Sequence, residues 1–128
     1  MTFGEILTAT AAKTPEKVAL SCGDDALTFA DFDRKTTELA HGMQRAGVRK
    51  GDRVALHMGN TLEMALCYFA CFKLGAIAVP LNIRLKPVEV EYVLGHSEAS
   101  LYIGEPGLYE RTAATPVCCP SSRFYQTT

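Results

Sequence analysis

Short unbroken apolar runs alternate with longer amphipathic stretches between Arg53 and Ile103, and that rhythm predicts the architecture of the chain. Arg53 to Met58 reads as a strand, preceded by the turn-forming Lys50-Gly51-Asp52. Asn60-Thr61-Leu62-Glu63 has capping-box spacing, with Asn60 as N-cap and Glu63 three residues on. The helix that follows, Leu62 to Leu74, is apolar on nearly all sides, which predicts burial on more than one face, and it stops at Gly75. Ile77 to Pro80 is a second apolar strand. Pro87 then suits a first helical turn, Glu89 and Glu91 enrich that turn, and Val90, Val93 and Leu94 line one face. Ser100 to Ile103 is a third strand. A β-α-β-α-β run with short connections implies parallel pairing with right-handed crossovers, a three-layer α/β unit over residues 53–103.

The preceding segment is patterned differently. Phe3 to Lys13 predicts a short helix with Phe3, Ile6, Leu7 and Ala11 on one side, ended by Thr14-Pro15 because the residue before proline is pushed out of helical geometry. Val18 to Cys22 and Ala26 to Phe29 read as strands of a hairpin turning through Gly23-Asp24-Asp25. Thr28 is placed to cap the next helix, Asp31 lies in its first turn, Phe32, Leu39, Ala40 and Met43 form its apolar stripe, and Gly47 closes it. After Gly104 the pattern stops: prolines fall at 106, 116 and 120, and residues 113–128 follow neither helical nor strand periodicity. Residues 1–104 are therefore expected to be organised, and 105–128 to form an irregular or disordered tail.

Composition narrows the function. The 128 residues are 48% hydrophobic and 21% charged, which excludes a disordered chain. With 13 Lys+Arg against 14 Asp+Glu, the chain has no electrostatic footprint for nucleic acid or an anionic membrane. The apolar stretch Leu62 to Leu74 carries Glu63 and Lys73 and falls short of the roughly 20 residues a membrane span needs. The opening residues lack a basic segment before an apolar run, and Glu5 interrupts them, so no signal peptide is expected and a reducing cytoplasm fits. Five cysteines (22, 67, 71, 118 and 119) form no C-x-x-C pair. Cys67 and Cys71 have the spacing of two ligands on one helix face, but small apolar residues in a packed helix explain them better.

No site residue stands out as a catalyst. The glycines at Gly4, Gly23, Gly59, Gly104 and Gly107 match neither G-x-G-x-x-G nor G-x-x-x-x-G-K-[ST]; in the last loop Glu105 repels phosphate and Pro106 removes a donor. There is no G-x-S-x-G elbow, and Cys118-Cys119 has no basic activator beside it. His41 and His96 read as structural, and Arg45, Arg49, Lys50 and Arg53 as a solvated surface. What remains is position. His57 falls near the carboxyl end of a parallel strand, where open α/β sheets bind ligands, and Asn60 and Asn82 lie along the same edge. These three are candidate ligand-edge positions, although a cap and a turn also account for the two asparagines. No catalytic, cofactor-binding or metal residue is assigned.

The order of the motifs adds a further reading. Thr14-Pro15-Glu16-Lys17-Val18-Ala19-Leu20, Leu27-Thr28-Phe29-Ala30-Asp31-Phe32-Asp33, Leu39-Ala40, Gly47-Val48-Arg49-Lys50-Gly51-Asp52-Arg53-Val54-Ala55, Asn60, Ala70 to Gly75, Val79-Pro80-Leu81-Asn82, Glu89 to Leu94 and Ala99 to Ile103 occur in a succession that resembles the start of the AMP-forming acyl-CoA synthetases, a family that also includes luciferases and peptide-synthetase adenylation domains. Asn82 to Leu85 is most similar to the fatty-acid and related carboxylate–CoA ligases. The resemblance implies a ligase that joins a carboxylate to ATP as acyl-AMP and then to CoA as a thioester, with magnesium. It also implies a Ser/Thr/Gly-rich loop ending in Pro-Lys-Gly, an aromatic adenine-binding motif and a C-terminal lysine, none of which occurs in the 128 residues. The expectation is the N-terminal part of an adenylating domain, incomplete and inactive alone, binding no cofactor by itself and prone to self-association through an exposed apolar face. The alternative is a self-standing, non-catalytic α/β binding or interaction module.

Overall fold

The computed structural model describes residues 2–108 and the backbone of residues 124–126. Its first helix, α1 (Phe3–Lys13), begins with a reciprocal capping box between Thr2 and Glu5. A hairpin follows, β1 (Val18–Cys22) and β2 (Asp25–Thr28), turning through Gly23 at φ +61°. Thr28 caps α2 (Phe29–Arg45), its hydroxyl accepting from Asp31 N–H, as the sequence predicts. Gly47, at φ +98°, takes the left-handed position just beyond that helix.

The rest is doubly wound. β3 (Arg53–His57) leads through α3 (Leu62–Leu74) to β4 (Ile77–Leu81), then through α4 (Pro87–Ser97) to β5 (Leu101–Gly104). β4 and β5 flank β3 on opposite sides, both parallel to it, and the strand order is β4-β3-β5-β6, with β6 (Phe124–Gln126) parallel to β5. The region expected to be irregular from residue 105 onward thus contributes one strand to the sheet, while Cys118 and Cys119 lie outside the described residues. Because the two right-handed crossovers step away from β3 and back across it, they put α3 and α4 on opposite faces. The cores follow suit: Val54, Leu56, Leu101 and Ile103 pack with Met43, Cys67, Ala70 and Cys71 on one face. Ala55, Leu81 and Tyr102 pack with Val90 and Leu94 on the other.

Helix α3 is buried on two sides, as its all-round apolar character predicts. One side meets the sheet, and the other, with Leu62, Ala65, Leu66 and Phe69, meets Leu7, Leu27 and Phe32 of α1, the hairpin and α2. The α1 contact is close: a Cβ added at Gly4 would lie 2.8 Å from Lys73 Cγ and 3.1 Å from Lys73 Cα. That approach turns α1 on its Gly4, Leu7 and Ala11 side, and leaves Phe3 and Ile6, which share the apolar side of the sequence pattern, 66% and 44% exposed, with Phe3 resting on Phe72. Arg53 also departs from the expected solvated surface. Its guanidinium donates to Ser97 O (2.8 Å) and Glu98 O (3.1 Å), open carbonyls at the end of α4, and to Gly51 O (3.1 Å) in the turn before β3.

Candidate functional site

Parallel strands deliver their carboxyl ends to one edge of the sheet, so the segments after β3, β4 and β5 meet there. The chain leaves β3 toward one face and β4 toward the other; between two such neighbours the loops part and leave a crevice. The crevice is present. Met58, Gly59 and Asn60 form one wall, Pro80 to Ile83 the other, and Met64 and Tyr68 of α3 close it, enclosing 330 Å³. Asn60, Met64 and Tyr68 also line an adjoining cleft of 290 Å³ that runs to Leu20, Ser21 and Cys22 of the hairpin.

Two of the three candidate edge positions are brought together in that crevice, Asn60 and Asn82, both at its exposed rim. Asn82 Oδ1 accepts from Arg84 N–H at 2.8 Å, the turn role its sequence context suggests. Asn60 is not the helix cap. The α3 cap is Thr61, whose hydroxyl accepts from Met64 N–H at 3.3 Å, one residue later than expected. Threonine is also among the preferred N-cap residues, and the spacing alone does not choose between neighbours.

His57 lies apart from the crevice lining. It is 1% exposed, on the α4 side of β3, with its Nδ1 2.6 Å from the Tyr102 hydroxyl and the two rings edge-on at 69°. The alternation of β5 puts Tyr102 and Gly104 on one face, and Gly104 is the register partner of His57. The tyrosine ring therefore crosses over Gly104 to reach the histidine: a Cβ at Gly104 would collide with the Tyr102 hydroxyl and lie 2.8 Å from its ring.

Glu105 is the residue that sequence reasoning missed. Its N–H donates to His57 O (3.1 Å) and its Oε1 accepts from Gly59 N–H (2.8 Å), so it straps the β3–α3 loop to the end of β5. A carboxylate that repels phosphate is also one that satisfies a loop N–H, and only the pairing of β3 with β5 reveals which role it takes. Cys67 and Cys71 are buried between α3 and the sheet. Burial pushes both thiols up to about 12, with the neighbouring Cys71 and Glu63 adding to the effect on Cys67. Among the described residues no three His, Cys, Asp or Glu side chains converge to hold a metal ion. No helix among them is long and apolar enough to cross a membrane.

A three-layer α/β unit with a crevice at the carboxyl edge of its parallel sheet, preceded by an antiparallel hairpin, defines the fold class. Comparison with known proteins makes this specific. The family described as "AMP-binding enzyme" matches residues 7–123, and the chain belongs to it. It is 41% identical over 104 residues to a feruloyl-CoA synthase of Amycolatopsis, covering 81% of this chain and 21% of that protein. It is 35% identical over 99 residues to the medium/long-chain-fatty-acid–CoA/3-oxocholest-4-en-26-oate–CoA ligase of Mycobacterium marinum, covering 77% of this chain and 18% of that protein. Its fold superposes on the Mycobacterium tuberculosis fatty acyl CoA synthetase with a TM-score of 0.89 at 28% identity, covering 98% of this chain and 26% of that one. The chain thus has the fold of the N-terminal region of acyl-CoA ligases and spans about a fifth of the length of the curated relatives it matches.

Proposed function

We propose that this chain is the N-terminal scaffold of an ATP-dependent acyl-CoA synthetase. In the whole enzyme a carboxylate oxygen attacks the α-phosphorus of ATP and expels pyrophosphate to give acyl-AMP; the CoA thiol then attacks the acyl carbon, loses its proton and expels AMP. The observation that carries this reading is the family match over residues 7–123 joined to a fold that superposes on a fatty acyl CoA synthetase. Residues 1–104 supply the folded N-terminal part of the adenylating domain, with β6 adding a strand from beyond it. ATP, magnesium and CoA are held by segments other than this one: the 128 residues contain no Ser/Thr/Gly-rich loop ending in Pro-Lys-Gly, and preorganised donors of that kind carry most of the stabilisation in phosphoryl chemistry.

Alone, the chain is inactive in adenylation and works in the cytoplasm only as part of a larger assembly. Exposed Phe3, Ile6, Ile77, Val88 and Tyr92 support self-association of the isolated chain. A chimaera tests the scaffold role. Residues 1–104 replace the matching segment of the Amycolatopsis feruloyl-CoA synthase, and ATP–pyrophosphate exchange is measured with ferulate. Retained exchange in the chimaera, with none from the 128-residue chain, is the expected result. A soluble chimaera without exchange overturns the scaffold reading, and exchange by the chain alone overturns its inactivity.

A further inference from the structure

We propose that the crevice between β3 and β4 binds a neutral, planar aromatic ligand whose polar edge both accepts and donates hydrogen bonds, an aryl carboxamide being the simplest example. Its position is one where doubly wound sheets leave room for a ligand, and 330 Å³ lies at the small end of the about 300–1,000 Å³ typical of small-molecule sites. Its walls set the chemistry. Met58 and Met64 present thioethers and Tyr68 a ring, surfaces that favour an aromatic face over an alkyl chain. Among the described residues the polar side chains of the lining are two carboxamides and the Tyr68 hydroxyl, and none of its side chains is charged. A carboxylate or phosphate entering there would shed hydration with no cation to replace it. The crevice therefore favours a neutral ligand over an anionic one.

The two carboxamides are not equivalent. Asn82 Oδ1 accepts from Arg84 N–H, so its amide N–H groups are what it offers a ligand carbonyl. Asn60, on the opposite rim, has an Oδ1 to accept the ligand N–H. The wall carrying Asn60 is held in advance by Glu105, through Gly59 N–H and His57 O, which lowers the ordering cost of binding.

The test is a titration of the isotope-labelled chain with benzamide and, in parallel, benzoate, followed by two-dimensional amide NMR without ATP or CoA. Its outcome is thus separate from that of the ligase reading. Saturable benzamide shifts at Gly59, Asn60, Asn82 and Ile83, with no saturable benzoate response there, are expected. Asn82→Asp keeps the acceptor for Arg84 N–H but replaces the donor with an anion, and is expected to weaken benzamide at least about tenfold, the worth of one charge-affected hydrogen bond. If Asn82→Asp loses the dispersed spectrum of a folded chain, Asn60→Ala, which removes the acceptor for the ligand N–H, is judged by the same criterion. Absence of saturable shifts at these four residues, equal binding of benzoate, or unchanged affinity in the folded variant overturns the proposal.

Discussion

Asp33→Ala probes the one ion pair among the described residues that ties the N-terminal helices to the sheet-forming unit. Lys73 Nζ lies 2.6 Å from Asp33 Oδ1, and it also donates to Asp33 O at 2.9 Å and to Thr37 Oγ1 at 2.7 Å. All three ammonium donors are thereby used. Asp33 Oδ1 accepts a further bond from Thr8 Oγ1 of α1 at 2.9 Å, so one carboxylate joins α1, α2 and α3. The side chains of Lys73 and Asp33 are 14% and 24% exposed, which puts the pair between a surface ion pair, worth about 0–1 kcal/mol, and a fully buried one, whose breakage costs about 3–5 kcal/mol. The lost charge-assisted bond contributes about 2 kcal/mol and the exposed threonine bond about 0.5 kcal/mol, so Asp33→Ala should destabilise by about 2.5 kcal/mol. With a urea m-value near 1.5 kcal/mol/M, the unfolding midpoint falls by about 1.7 M.

Urea titrations followed by circular dichroism, run as a double-mutant cycle with Lys73→Met, measure the pair directly. A coupling energy of about 1.5–2 kcal/mol is expected, because each variant leaves the other's charge in a half-dry site. Arg34→Ala is the control: its contacts with Asp31 (3.3 Å) and Glu38 (3.4 Å) are fully solvated, and its midpoint should coincide with that of the parent chain. A coupling below about 0.5 kcal/mol would refute the reasoning, since it would mean the partial burial of Lys73 adds nothing to what a surface pair supplies.

Three further outcomes follow from the same geometry. Thr61→Ala should cost about 1 kcal/mol in urea unfolding, and Asn60→Ala far less, because the hydroxyl of Thr61 holds Met64 N–H; the reverse order would restore Asn60 as the cap. Gly104→Ala should displace the Tyr102 ring and abolish its bond to His57, costing about 1–3 kcal/mol and shifting the tyrosine near-ultraviolet signal, and an unchanged signal would count against the packing of Tyr102 over Gly104. Alkylation at pH 8 followed by peptide mass mapping should modify exposed Cys22 in the folded chain, and Cys67 and Cys71 only after unfolding. Since the two buried thiols ionise near 12 instead of 9, the folded state holds protons that the unfolded state has released. The stability they contribute is full below about pH 9 and is lost as pH rises toward 12, so a flat profile across that window would contradict their burial.

The legible parts of this fold are those written in local order. The strands and helices of the β-α-β-α-β unit follow from apolar runs, a proline at a helix start and glycines at helix ends, because each of these acts on its own few residues. The expectations that needed correction depended on what lies opposite. Phe3 and Ile6 carry the same apolar period as Leu7 and Ala11, but the close approach at Gly4 decides which side of the helix meets α3. Arg53 reads as one of four basic surface residues until α4 ends beside it and presents carbonyls. The strand at 124–126 lacks a periodic signal of its own and is defined by pairing with an existing edge.

The crevice shows the same division in one place. Parallel topology, derivable from the alternation of strand and helix, already brings Asn60 and Asn82 to one edge. It does not assign their atoms. Asn82 is oriented by the backbone two residues on, and Asn60 by a loop whose conformation depends on Glu105, just beyond β5. His57 shares the edge in sequence terms, yet the two-residue alternation of β3 turns it to the α4 face and into contact with Tyr102. Topology therefore gives the address of the site, while the parity of each strand decides which of its end residues face it. For this chain that parity separates the edge residues into two groups with different work: the asparagines at a solvent-facing crevice, and the histidine in a buried pair beneath α4 that holds the ends of β3 and β5 together.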